Sequence, residues 1–120
     1  MTMPTVPRFN INEIDYTPMA GGFDGEEAVL YRSPTGNVLA GTFREAGKFT
    51  FEFPCDEFFF VVRGSGRAQV HGGETFEFGV NDMLYFREGM IADFEMSKDF
   101  QDVACMISNG KPIEYEVSAT

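Results

Sequence analysis

Short stretches in which apolar and polar residues alternate follow one another along most of the chain. In the clearest stretch, residues 48–53, phenylalanines occupy one face of an extended strand and polar residues the other: Phe49, Phe51 and Phe53 against Lys48, Thr50 and Glu52. Turn residues such as Gly, Pro, Asn and Asp separate the stretches. The predicted strands are Ala28–Arg32, Val38–Glu45, Lys48–Phe53, Glu57–Arg63, Arg67–Val70, Glu74–Phe78, Met83–Phe86, Ala92–Met96, Asp102–Ser108 and a late edge strand, Ile113–Val117.

Many short strands at near-regular spacing, without a convincing helix, are typical of β-sandwiches and β-barrels. We therefore predict an all-β barrel of two antiparallel sheets over residues 28–120. Prolines and glycines punctuate residues 1–27, which we interpret as an N-terminal arm. Apolar positions such as Phe9 and Tyr16 indicate that this arm packs on the barrel.

The strand Glu57–Arg63 is apolar on both faces, so we expect cover on both sides. One face can line the barrel interior. The other face needs a second sheet, the N-terminal arm or a partner subunit, and we predict a homodimer on this ground.

Composition restricts the possible partners and the cellular location. The chain has 120 residues, the size of one domain, and a formal net charge of −10, which disfavours nucleic acids and anionic membranes. No apolar run is long enough to span a membrane, and the N-terminus does not resemble a signal peptide. Two cysteines make no disulfide framework. We expect a cytoplasmic protein.

Two motifs resemble those of the cupin superfamily. Residues 56–64, Asp-Glu-Phe-Phe-Phe-Val-Val-Arg-Gly, place Glu57 seven positions before Gly64, as in the first cupin motif. Residues 81–89, from Asn-Asp through four strand residues to Arg-Glu-Gly, occupy the second, with its Gly and Pro replaced. Together with Gly47-Lys48-Phe49 and Phe94, these residues are most similar to small cupins of the ethanolamine-utilisation and ureidoglycine-aminohydrolase-like subfamily. The resemblance implies the RmlC-like double-stranded β-helix barrel.

The chain departs from the metal-binding cupins at the histidine positions. The resemblance implies that the first two fall on Phe51 and Phe53, or with a longer spacing on Thr50 and Glu52, and the third on Ala92. A phenyl ring has no lone pair for a metal ion, and Zn, Mn and Fe sites need several N, O or S donors. We therefore predict no metal and no other cofactor.

Glu57 is the leading catalytic candidate, because the cupin register points it into an aromatic barrel where desolvation would raise its pKa. A structural carboxylate is the alternative interpretation. Tyr85 is the second candidate, as a hydrogen-bond donor to an oxygen of the substrate, with a packed tyrosine at the rim as its alternative. The predicted ligand contacts are Phe51, Phe53, Phe59, Ala92, Phe94 and Cys105.

Three functions remain open at this stage. The first is a metal-independent protein that binds a small, partly apolar or aromatic molecule in the barrel. The second is a cofactor-free isomerase, lyase or cyclase that uses Glu57 as general acid or base. The third is a metal cupin with unusual ligands drawn from Glu52, Glu57, His71 and Cys55. We rank it last, because these side chains lie on opposite strand faces and, for His71, in a predicted hairpin turn.

Overall fold

Residues 3–20 and 23–119, the part of the chain that this computed structural model describes, form β-strands joined by turns, without a helix. None of these residues therefore lies in a helix long and apolar enough to cross a membrane. The strands are β1 (Thr17–Pro18), β2 (Asp24–Arg32), β3 (Val38–Glu52), β4 (Asp56–Arg63), β5 (Ser65–Val70), β6 (Thr75–Gly79), β7 (Met83–Phe86), β8 (Ile91–Met96), β9 (Gln101–Ile107) and β10 (Ser118–Ala119).

The strands form two antiparallel sheets that share the long strand β3. Its first half pairs with β2 and β9, and β9 continues the first sheet through β4 to β7. Its second half pairs with β8, which continues the second sheet through β5 to β6. The two sheets curl around a common core, so the prediction of an all-β barrel is confirmed.

The observed strand bounds differ from the predicted ones by more than two residues at three places. Strand β3 joins two predicted strands into one, because Gly47 takes a positive φ of 81° and keeps the pairing with β8 unbroken. Strand β2 begins at Asp24, inside the predicted arm. No strand covers residues 113–117; the late edge strand is Ser118–Ala119, which pairs with Phe49 and Thr50 of β3. Predicted positions 1, 2, 21, 22 and 120 lie outside the described residues.

Phenylalanine rings fill most of the space between the sheets. The odd-numbered positions at the end of β3 and just after it point inward, so that Phe49, Phe51 and Phe53 are almost fully buried, as the alternation predicted. Phe53 stacks on Phe86 with ring centres 4.4 Å apart, and Phe86 stacks on Phe59 at 5.9 Å. Buried aromatic pairs of this kind contribute about 0.5–1.5 kcal/mol each beyond their area.

The N-terminal residues pack against the first sheet. The buried side chain of Gln101 in β9 donates from Nε2 to the hydroxyl of Tyr16 at 2.7 Å. The guanidinium of Arg44 lies 3.8 Å from the centre of the Tyr16 ring, a cation–π contact. This segment therefore covers one end of the sheet, whereas Phe58 and Phe60 on the outer face of β4 remain only partly buried.

Candidate functional site

A cavity lies between the two sheets, and the space left unfilled at its centre is about 30 Å³. That volume accommodates one or a few water molecules, or a small polar group. Aromatic, aliphatic and carboxyl side chains from β3, β4, β8, β9 and the two terminal segments line it. They are Met19, Phe43, Glu45, Phe49, Phe51, Phe53, Glu57, Phe59, Phe94, Met96, Asp102, Met106, Tyr115 and Val117.

The phenyl rings among these residues include four of the predicted ligand contacts. Phe51 comes from β3, Phe53 from the residue directly after it, Phe59 from β4 and Phe94 from β8. Phe53 and Phe94 also pack edge-to-face, with ring centres 6.3 Å apart. The rings give the cavity an apolar wall that strengthens electrostatic interactions inside it.

Glu57 enters the cavity from β4, as the sequence suggested. It lies on the inward face of the strand with Phe59 and Val61, both of which are almost fully buried. Burial, with a smaller contribution from the charge of Glu45, raises the pKa of Glu57 to about 8. The side chain is therefore largely protonated at neutral pH and can exchange a proton there.

Two further carboxyl groups line the same cavity, and the sequence analysis missed both. Glu45 follows Phe43 on the inward face of β3, and burial together with the charge of Glu27 raises its pKa to about 7. Asp102 of β9 is only 2% exposed, and burial is the main cause of its strongly raised pKa. The signal was a charged residue at an inward position of an alternating strand, next to Phe43 or Ala104.

Tyr115 brings a phenol to the cavity from the C-terminal segment. Its hydroxyl donates a hydrogen bond to Oε2 of Glu27 in β2. Burial and this hydrogen bond raise the pKa of Tyr115 further above its ordinary value, so the phenol stays protonated. Val117 from the same segment and Met19 from the N-terminal segment also border the cavity. The two chain termini thus contribute to its wall.

Three of the predicted site residues do not line this cavity. Tyr85 is 59% exposed, and its hydroxyl donates to Oδ2 of Asp56 at 2.6 Å on the outer surface. Cys105 is the pairing partner of Phe58, and its side chain lies on the outer face of β9. Asp102, Ala104 and Met106 lie on the opposite, inward face. Ala92 is fully buried beside Phe51, and its methyl group lies in the core without reaching the cavity.

The histidine positions implied by the cupin resemblance do not fit a metal ion here. Phe51 and Phe53 project inward with phenyl rings, and Ala92 has only a methyl group, so these positions offer no donor atom. The alternative ligands do not converge. Glu52 is exposed, Cys55 is buried with its pKa raised to about 11, and His71 contacts Asp93 at 3.0 Å.

The described residues contain no group of three or more His, Cys, Asp or Glu side chains arranged to hold a metal ion. The three cavity carboxyls therefore do not form a preformed set of metal ligands. They are acids in a shared apolar space: the charge of Glu45 raises the pKa of Glu57, and the charges of Glu45 and Glu57 raise that of Asp102.

The sequence profile of the EutQ-like cupin domain family matches residues 32–103. No curated protein sequence matches the chain. Among solved structures, the Cnp3 cupin domain of Schizosaccharomyces pombe is similar with a TM-score of 0.70 at 9% identity, over 85% of this chain and 74% of that one. Ectoine synthase from P. lautus is similar with a TM-score of 0.68 at 17% identity, over 83% of this chain and 76% of that one.

A putative ethanolamine utilization protein Q from Salmonella typhimurium LT2 gives a TM-score of 0.61 at 16% identity, over 78% of this chain and 94% of that one. Similarity at such low identity shows a shared fold and says nothing about activity. The names of these three structures also differ, as is common for folds that carry many functions.

Proposed function

Since this chain belongs to the EutQ-like cupin domain family, we propose that it is a metal-independent cupin that binds a small molecule inside its barrel. The observation that carries the proposal is the position of Glu45, Glu57 and Asp102, three carboxyl side chains that line one cavity walled by phenyl rings. No comparison names the ligand, so the proposal rests on this geometry.

The three carboxyls have no evident structural purpose. Apolar side chains at these positions would extend the surrounding core, whereas a buried carboxyl must remain neutral or find a compensating partner. Ionisable groups with strongly perturbed pKa values in a cavity are characteristic of functional sites. This combination favours a binding site over a core that serves only stability.

A catalytic role for Glu57 is the second candidate. Its pKa of about 8 suits a general acid or base near neutral pH, the property that a cofactor-free isomerase, lyase or cyclase needs. The phenol available to such a reaction is that of Tyr115, because Tyr85 lies outside the cavity. Binding without turnover requires fewer assumptions, so it stays the first candidate.

A library of small molecules, screened by thermal denaturation, tests the binding proposal. We expect at least one compound to raise the melting temperature of the wild-type protein and to perturb the methyl resonances of Met96 and Met106 in the cavity wall. Glu57→Gln should change the affinity, whereas Glu52→Gln, on the exposed face of β3, should not. A library without any cavity ligand would refute the proposal.

The same ligand distinguishes binding from catalysis. If Glu57 transfers a proton, Glu57→Gln abolishes turnover but retains the fold, and wild-type turnover depends on pH around 8. A ligand recovered unchanged after long incubation with the wild-type protein would exclude the catalytic candidate for that compound.

Metal independence is tested on the purified, untagged protein by elemental mass spectrometry. We expect far less than one equivalent of any transition metal, because Phe51, Phe53 and Ala92 replace the nitrogen donors of metal cupins. Close to one equivalent surviving dialysis would show that other side chains hold a metal.

A homodimer in the cytoplasm completes the proposal. Apolar side chains spread over the outer face of the first sheet, which we call the outer apolar face: Tyr31, Phe58, Phe60, Met83, Tyr85 and Ile107. A contiguous apolar surface of this kind favours a protein partner, and a second copy offers the same complementary face. The free thiols of Cys55 and Cys105 fit a reducing compartment.

A further inference from the structure

We infer that the cavity is a binding site for an organic ammonium group, held by Glu45, Glu57 and Asp102 against the surrounding phenyl rings. The inference rests on the proposed function, that the barrel binds a small molecule, and it names the chemical class of that molecule. Four features of the cavity support it.

The first feature is the presence of acidic side chains without a basic side chain to balance them. Three carboxyls line the cavity, and none of its lining residues within the described parts of the chain is Lys, Arg or His. The side chains therefore offer acids without a cation to neutralise them. A ligand that carries a positive charge would stabilise the ionised forms of these carboxyls, and an anionic ligand would find no cationic side chain among them.

The second feature is an unpartnered atom. Oδ1 of Asp102 is buried and has no hydrogen-bond partner among the described residues, although the side chain is only 2% exposed. Nearly all buried polar atoms in native proteins are hydrogen-bonded, so this atom indicates a missing donor. Because Asp102 lines the cavity, the donor can come from a bound ligand.

The third feature is the match of hydrogen-bonding types. Ionised carboxylates are acceptors only, and a primary ammonium group has three N–H donors and no acceptor. Charge-assisted hydrogen bonds between such groups are about twice as strong as neutral ones. A hydroxyl ligand could satisfy Asp102 but would bring no charge to stabilise the ionised forms of the other two carboxyls.

The fourth feature is the wall itself. The rings of Phe49, Phe51, Phe53 and Phe94 line the same cavity as the carboxyls, and the faces of aromatic rings attract cations. The unfilled space of about 30 Å³ limits the buried part of the ligand to the ammonium group and one or two carbons. Glu45 and Glu57 remain partly accessible to solvent, so the rest of the ligand can extend outward.

Binding an ammonium group requires ionised carboxyls, so it is linked to proton release. We expect the affinity to increase from pH 6 to pH 9. The titratable and charged groups that face this cluster come from several elements: Glu27 on β2, Arg32 on β2 near Tyr115, Glu45 on β3, Glu57 on β4, Asp102 on β9 and Tyr115 in the C-terminal segment. Those among them with raised pKa values are protonated in the empty protein at low pH.

The test titrates the intact protein, labelled at its methionine methyl groups, with ethylammonium chloride at constant ionic strength. Met96 and Met106 border the cavity, and the 65% exposed Met83 serves as the internal control. We expect ethylammonium to shift the two cavity resonances but not that of Met83. Ethanol, a neutral compound of the same size, should bind at least about tenfold more weakly.

Variants identify the groups responsible. Glu45→Gln and Asp102→Asn keep the shape of the side chain and remove its charge, and each should weaken ethylammonium binding by about tenfold. Both remove a desolvated acid, so we expect them to fold. Glu52→Gln, on the opposite face of β3 from Glu45, is the matched control and should bind as the wild type does.

Three outcomes would overturn the inference. If ethanol or another neutral compound shifts the cavity resonances and ethylammonium does not, the ligand class is wrong while the proposed binding function stands. If Mn²⁺ broadens those resonances at concentrations below those at which ethylammonium acts, the cluster is a metal site. If neither ethylammonium nor any neutral compound enters the cavity, the inference fails together with the proposed function.

Discussion

The hydroxyl of Tyr115 donates a hydrogen bond to the carboxylate of Glu27, a residue 88 positions earlier in the chain. This contact ties the C-terminal segment to β2, and both Tyr115 and its neighbour Val117 border the cavity. The guanidinium of Arg32, also on β2, reinforces the connection by donating to the carbonyl of Ile113 at 3.0 Å. The wall of the site therefore includes a segment without regular secondary structure.

Replacing the hydrogen-bonding group tests the importance of this contact. Tyr115→Phe removes the donor and leaves Glu27 without it, so we expect the free energy of unfolding to fall by about 1–2 kcal/mol. Amide hydrogen exchange in residues 112–119 should accelerate by more than in the core strands. Denaturation in urea and exchange measured by mass spectrometry check both effects. Tyr31→Phe, at a position 41% exposed, should change neither.

The cavity carboxyls predict that stability falls as pH rises. Burial raises the pKa of Glu57 from 4.5 to about 8 and that of Glu45 to about 7. The folded protein thus binds more protons than the unfolded chain between these values, and stability decreases with pH in that range. We expect a loss of several kcal/mol, up to about 6 kcal/mol, between about pH 5 and pH 8. Urea denaturation at several pH values measures it.

A double variant provides the control for the pH dependence. Glu45→Gln combined with Glu57→Gln removes two of the groups responsible, so its stability should vary much less from pH 5 to pH 8. Asp56 and Asp93 have lowered pKa values, and their stabilisation is lost only under more acidic conditions, outside this range. A wild-type stability that is constant or rises from pH 5 to pH 8 would contradict the assignment.

Gly64, the glycine of the first motif, should be intolerant of any side chain. Its φ is 78°, and a Cβ atom there would lie 2.7 Å from the Cα of Phe100, a backbone atom that cannot move aside. We expect Gly64→Ala to cost about 2–4 kcal/mol, from the backbone conformation and the clash together. Gly72→Ala has a similar φ of 74° in open space and should cost only about 1 kcal/mol. Equal losses would show that the contact with Phe100 is unimportant.

The outer apolar face predicts the oligomeric state. Met83 is 65% exposed and Ile107 is 56% exposed in the single chain, and the proposed dimer would bury both. Met83→Lys and Ile107→Lys should therefore shift the protein from dimer to monomer, which sedimentation velocity measures at several concentrations. Val80→Lys, in a turn at 54% exposure, is the matched control and should remain dimeric. A monomeric wild-type protein at all concentrations would disprove the dimer.

The sequence predicted the barrel and much of the cavity wall, because both follow from strand alternation. Phe49, Phe51 and Phe53 alternate with polar residues, so their inward face is defined by the pattern. Glu57 was identified by its spacing to Gly64. In the structure Glu57 lines the cavity, and Gly64 has the positive φ that a glycine at the end of a strand can adopt. Local periodicity is sufficient to predict the inward face of a strand wherever its other face is polar.

The remaining site residues depend on tertiary structure. Strand β9 is apolar on both faces, so the alternation did not show whether the face of Cys105 or the face of Ala104 points inward. Asp102 lies on the same face as Ala104 and was therefore missed. Tyr85 was a candidate because either face of β7 could point inward, and Leu84 and Phe86 took the interior. Tyr115 lies in an irregular segment without any period, so only the fold brings it to the cavity.

Strand β3 pairs through its first half with β9 and through its second half with β8. Because a single run of 15 residues belongs to both sheets, neither sheet can separate without disturbing the other. The barrel should therefore unfold as one cooperative unit instead of sheet by sheet. Its partners in β8 and β9 come some forty or more residues later, so these pairings form late in folding and at a high entropic cost of loop closure.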